Sequence, residues 1–173
     1  MKLDQFPLQL QTCKEEEIDI QCFSEINVDV TKLSIKKKYH DTIRGFDQRA
    51  KDIWGNSYLN MTSDYKPGGT GIVTFGSVSG RVKKAGYDKM GRWTYQVFEG
   101  GDDKITIIFS IYNCCKNPDT RGKKTAYYQQ EIMLSEINRT GNPREYFKRD
   151  LIAEIYRLKK IYGENEEVHS TST

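Results

Sequence analysis

With 173 residues, 27 Lys+Arg against 24 Asp+Glu and a net charge of +3, the chain has the length of one domain, enough to bury about 70% of its unfolded surface. The mild basic excess permits nucleic-acid contact but falls short of a strongly basic footprint. No apolar run approaches the ~18 residues of a membrane span, and the opening MKLDQFPLQLQTCKEEE lacks the basic-then-apolar order of a signal peptide, so the chain reads as soluble and intracellular.

Leu3, Phe6, Leu10 and Cys13 fall at helical spacing, with Pro7 tolerable in a first turn, and predict a short opening helix. Ile18 to Phe23 then alternates apolar and polar residues, a strand that delivers Ser24 and Glu25 to its C-terminal end. From Thr31 the period lengthens. Tyr39, Ile43, Phe46, Ala50 and Ile53-Trp54 lie three or four apart, so a core-facing helix is expected over 39–54, closed by Gly55. Ser57 to Ser63 reads as a further strand.

The centre of the chain, Lys66 to Tyr112, reads as consecutive hairpin strands. Ile72, Val73 and Phe75 follow a Gly-Gly-Thr break, and Trp93, Tyr95 and Val97 alternate with Arg92, Thr94 and Gln96. Lys104 to Tyr112 is a nearly unbroken β-branched and aromatic run, which suggests a strand buried on both faces at the centre of a sheet. Between the strands, the loop from Ser79 to Gly91 and the following Arg92 bring Arg81, Lys83, Lys84, Lys89 and Arg92 together with Tyr87, a combination able to follow a phosphate backbone.

Asn117 to Lys124 reads as a loop, after which Thr125 can cap a helix with Ala126, Met133, Leu134 and Ile137 inside. Asn142-Pro143-Arg144-Glu145 combines an N-cap, a proline at the first helical position and an acidic residue in the first turn. The stripe Phe147, Leu151, Ile155, Leu158 and Tyr162 runs from there to Gly163, and the acidic, then Ser/Thr-rich end over 163–173 reads as disordered. Cys13, Cys22, Cys114 and Cys115 show no C-x-x-C spacing and are expected as free thiols.

Taken in order, GGT, GRV, DKMGRW, a hydrophobic strand ending in Tyr, and KTAYYQQ resemble the endonuclease/exonuclease/phosphatase superfamily, with its DNase I-like fold, in the branch of retroelement-type endonucleases. The resemblance covers roughly residues 10 to 160. It implies an α/β chain of the α+β sandwich type, a partial DNase I-like fold over 1–162 with a mainly antiparallel sheet covered on one face by helices near 39–54, 126–137 and 143–162. It also implies that Glu25 binds magnesium and that Tyr112 reaches the scissile phosphate, with Arg81, Lys83, Lys84 and Arg92 near nucleic acid.

Other parts of the family pattern are missing. The resemblance assigns the catalytic base to a G-D-x-N segment and a histidine to an S-D-H segment, neither of which is present, and the histidines here are His40 and His169. The expectation is therefore an incomplete relative of magnesium-dependent endonucleases, inactive alone, or else a non-catalytic structural or nucleic-acid-binding subunit of a larger assembly. If most of a second sheet is lost, the strand Lys104–Tyr112 keeps a bare face or a free edge, which favours a homo-oligomer or a protein partner.

Overall fold

A computed structural model of the protein describes residues 5–59, 65–115 and 125–163. The first sheet has the order β1 (Ile20–Ser24), β3 (Thr70–Thr74), β2 (Lys51–Gly55), and the second has the order β4 (Val82–Tyr87), β5 (Trp93–Glu99), β6 (Ile105–Ile111). Every pairing is antiparallel. Helices α1 (Phe6–Glu15) and α2 (Leu33–Phe46) cover the first sheet, while α4 (Pro143–Tyr162) covers the second, with α3 (Ala126–Glu136) packed against α4. The expected α+β architecture of antiparallel sheet and covering helices is what forms.

The single sheet covered on one face is corrected to two sheets packed on each other, with helices on both outer faces. Alternation within the strands produces this layering. Phe23, Trp54 and Val73 point to α1 and α2, where Trp54 meets the rings of Phe6 and Tyr39 at 5.8 and 5.2 Å. Trp93, Tyr95 and Val97 point to α4, and Phe147 meets Trp93 at 6.1 Å.

The residues between are turned toward the other sheet. Thr74 donates to Gln96 at 2.5 Å and Ser110 to the Phe23 carbonyl at 2.7 Å. Thr70, Thr94 and Gln96 are at most 1% exposed, so the polar half of the alternation lies between sheets rather than in water. Close packing there admits small residues. A methyl group on Gly55 would come within 2.8 Å of Tyr87.

Two strand assignments change. The expected helix over 39–54 ends at Phe46, because Asp47 turns the backbone to extended angles and residues 51–55 become β2. A spacing of four between Ala50 and Trp54 suits two steps of a strand as well as one helical turn. β6 is an edge strand rather than the central one, and β5 takes the centre. Nor does β6 have a bare face, since Ile107 packs toward α4 and Ser110 reaches β1.

Ile137, expected inside α3, instead follows its last turn and is 50% exposed, while elsewhere the pattern and the structure agree. α1 carries Pro7 in its first turn; the Thr125 side chain accepts from Tyr128 N–H, and Asn142 caps α4 by accepting from Arg144 N–H. Cys13, Cys22, Cys114 and Cys115 are free. Most of the expected strand at 57–63, the loop at 117–124, and residues 164–173 of the tail lie outside the described residues. Among the described residues no helix is long and apolar enough to cross a membrane.

Candidate functional site

The strand registers define two poles of the sandwich. At one, Ser24 and Gly55 both stand opposite Thr70, and Ile111 stands opposite Trp93. Here the C-terminal ends of β1, β2 and β6 meet the start of β3, and α3 begins beside them. A Cβ on Gly68 would lie 3.1 Å from Ala126 and 3.4 Å from the Tyr112 ring.

Immediately beyond β1 the backbone leaves the strand conformation. Glu25 and Asn27 have φ of 54° and 56°, a left-handed conformation costing about 1–2 kcal/mol per ordinary residue. Neighbouring bonds hold it. Ile26 N–H donates to Gly69 C=O at 3.2 Å, Asn27 N–H to Gly68 C=O at 2.9 Å, and Gly68 N–H to Asn27 Oδ1 at 3.0 Å. Gly68 and Gly69 adopt φ of 81° and 85°, which glycine does without a Cβ penalty.

This turn brings Glu25 to the end of β6, where its carboxylate stands beside the Tyr112 hydroxyl. Tyr112 is half-buried and Glu25 is exposed. Burial first, and then the adjacent Glu25 carboxylate, raise the Tyr112 hydroxyl well above its ordinary pKa, so it stays a proton donor at neutral pH.

Beneath the pair lies a second polar layer. Lys66 is fully buried, with Nζ donating to Asp29 Oδ1 at 3.0 Å, and Asp29 is itself 1% exposed. Asn56 Nδ2 donates to the carbonyls of Val28 and Lys66, and Asn56 Oδ1 accepts from Ser57 N–H. Ser57 then reaches Gln129 on α3 at 2.7 Å. Asp29, Asn56, Lys66 and Gln129 were not marked by the sequence. Polar residues beside Gly-Pro turns are ordinarily solvated, and only the fold reveals that these are interior.

The basic residues expected near nucleic acid are divided. Arg81, Lys83 and Lys84 lie at the start of β4, whose register places Val82 opposite Phe98, at the other pole. At ~3.3 Å per residue, the three to six steps from these residues to Tyr87 put them about 10 to 20 Å away along the strand. Lys83 pairs there with Glu99 at 2.9 Å. Arg92 is a correction to the surface set. It is 3% exposed and its guanidinium bonds Asp88 and Asp150 at 2.7 and 3.0 Å.

His40 stands exposed on α2, bonded to Asp52, and His169 lies outside the described residues. The chain matches no protein-family model and no curated protein. Its functional reading therefore depends on the chemistry of the pole.

Among the described residues no group of three or more His, Cys, Asp or Glu side chains could hold a metal ion. The exposed carboxylate of Glu25 still fits one kind of site. Magnesium is often held by one or two carboxylates, completing its octahedron with waters and substrate phosphate oxygens. Glu25 supplies one such ligand, whereas Asp29 is committed to Lys66.

Proposed function

We propose that the Glu25–Tyr112 pole is part of a magnesium-dependent phosphodiester site of the nuclease type, at which the chain binds nucleic acid. Glu25 would hold the cation together with a substrate phosphate, and the cation, when bound, would neutralise charge on that phosphate. Tyr112, kept protonated by burial and by Glu25, would donate to a phosphate oxygen. The observation that carries this reading is the approach of these two side chains, from distant parts of the sequence, at one pole of the sandwich.

Hydrolysis also requires a base to activate water in line with the scissile bond. Among the described residues the neighbouring carboxylates Asp29 and Asp88 are already held, by Lys66 and Arg92. The chain alone is therefore expected to bind without cutting. Oligonucleotide binding titrated with magnesium, run beside a plasmid-nicking assay, tests both halves. Magnesium should tighten binding several-fold in the parent and not in Glu25→Gln, with no nicked product from either. Nicking that Glu25→Gln abolishes would overturn the inactivity, and binding indifferent to both magnesium and Glu25→Gln would overturn the site.

A second reading, a non-catalytic subunit of a larger assembly, is favoured by the outer edge of β6, which borders no further strand among the described residues. Light scattering over a concentration series tests it. A concentration-independent monomer would remove the homo-oligomer.

A further inference from the structure

Between the turn that joins β4 to β5 and the outer ends of α3 and α4 lies an open cleft of about 340 Å³, within the range of small-ligand sites. Its walls are aromatic and thioether groups. Tyr58 and Tyr87 stand 45% and 53% exposed, Met90 and Met133 line the cleft between them, and the edge of Trp93 closes its floor.

The carboxylates around the cleft are already engaged. Asp88 accepts from Arg92 through both oxygens, and Glu154 likewise from Arg157. Tyr58 donates its hydroxyl to Glu136, which fixes its ring. Lys89 at the rim is exposed. Planar apolar walls with a cationic rim complement a nucleobase attached to its phosphate better than they complement an apolar peptide side chain.

The cleft is also joined to the Glu25–Tyr112 pole. Met90 is bridged to Ser57, Ser57 bonds Gln129, and α3 runs from Ala126 beside Tyr112 to Met133 in the cleft. Seven residues of helix rise about 10 Å, the length of roughly three stacked bases at ~3.4 Å each.

We propose that this cleft takes one unstacked base of a single-stranded nucleic acid whose phosphate a few nucleotides away lies at the Glu25–Tyr112 pole. Tyr58 and Tyr87 would stack on the base, and Lys89 would meet the adjoining phosphate. Because every base presents a π-face, the site would be tolerant of sequence. The proposal rests on the nucleic-acid reading of the pole.

The test is fluorescence anisotropy of a labelled single-stranded oligothymidine, measured in chelator so that no metal or cleavage enters. Tyr87→Ala and Tyr58→Ala should each weaken binding about tenfold. Tyr87→Phe, which keeps the ring, should bind as the parent does, and Lys89→Ala should lower the salt slope by about one.

Photocrosslinking of the parent with thiothymidine-substituted DNA should mark residues 87–93, a readout that needs no variant to fold. If the parent binds while Tyr87→Ala is unchanged, the base site is wrong and the pole reading stands, whereas crosslinks at Arg81–Lys84 would overturn both. If the parent binds no nucleic acid either in chelator or with magnesium, the pole reading itself has failed.

Discussion

The two poles of the sandwich share strands and sheets but differ in how their polar groups are held. At the Glu25–Tyr112 pole, left-handed residues, paired glycines and a buried Lys66–Asp29 ion pair are tied by bonds that cross between β1, β2, β3 and α3. The opposite pole carries Arg81, Lys83 and Lys84 on exposed backbone, with a crevice of about 360 Å³ between the ends of α1 and α2. Asp47 is one carboxylate held there. The Gly76 N–H, at 2.6 Å, and Arg49 lower its pKa. Raw charge favours the second pole and built geometry favours the first. Exposed lysines cost little to place, whereas buried ions and left-handed residues persist only where the surrounding structure over-determines them.

The largest effect expected from breaking this difference is at the buried pair. Lys66→Ala leaves Asp29 as an uncompensated buried charge and should cost about 3 to 5 kcal/mol, lowering Tm by about 10 °C. Lys83→Ala removes an exposed partner of Glu99 and should leave Tm unchanged within error. Calorimetry of the two variants compares the poles directly, and equal losses would erase the distinction.

A smaller contrast lies in the glycines. Alanine at Gly69 would combine a φ of 85° with a Cβ only 2.7 Å from Asn56 Nδ2, a group fixed by two hydrogen bonds. The expected loss is about 2 to 4 kcal/mol. At Gly76, with φ of 56°, the nearest atom would be Asp19 Oδ1 at 3.9 Å, so strain alone remains, about 1 to 2 kcal/mol. Urea unfolding resolves the two, and Gly76→Ala being the more damaging would contradict the account.

Smallest is the hydroxyl of Tyr112. Tyr112→Phe removes a half-buried hydroxyl beside the Glu25 carboxylate and should cost about 1 kcal/mol at most. It should also change the alkaline limb of the stability curve. Burial raises Tyr39 to about 12, and burial with Glu25 raises Tyr112 further, so both hold their protons more tightly folded than unfolded. Their contribution is fully present below the ordinary tyrosine value near 10 and is lost as pH rises through the folded values. Phenolate absorbance followed during alkaline unfolding should show one lagging tyrosine fewer in Tyr112→Phe than in the parent.

Much of the secondary structure was legible because caps and periodicity act locally. Thr125, Asn142 and Pro143 mark helix starts whatever surrounds them, and the stripe Phe147–Leu158 needs one apolar face. The number of sheets was not legible. Thr94 and Gln96 have the polarity of a solvated face, and only the second sheet, arriving with Thr74 and Ser110, makes that face interior. The apolar run of β6 resembled a central strand because helix on one side and sheet on the other bury alternate residues, even though its edge is outermost. At the candidate site the resemblance singled out Glu25 and Tyr112, and the fold brings them into contact. No local signal could join Arg92 to Asp150, which removes that guanidinium from the surface.

The central claim is that phosphate binds at the Glu25–Tyr112 pole and not at the lysine-bearing one. Amide chemical-shift mapping with a short phosphodiester oligonucleotide and magnesium tests it most directly. The account predicts shifts centred on Asn27, Gly68, Gly69, Tyr112 and Ala126 that vanish in Glu25→Gln. Shifts centred on Arg81–Lys84, unchanged in Glu25→Gln, would contradict it.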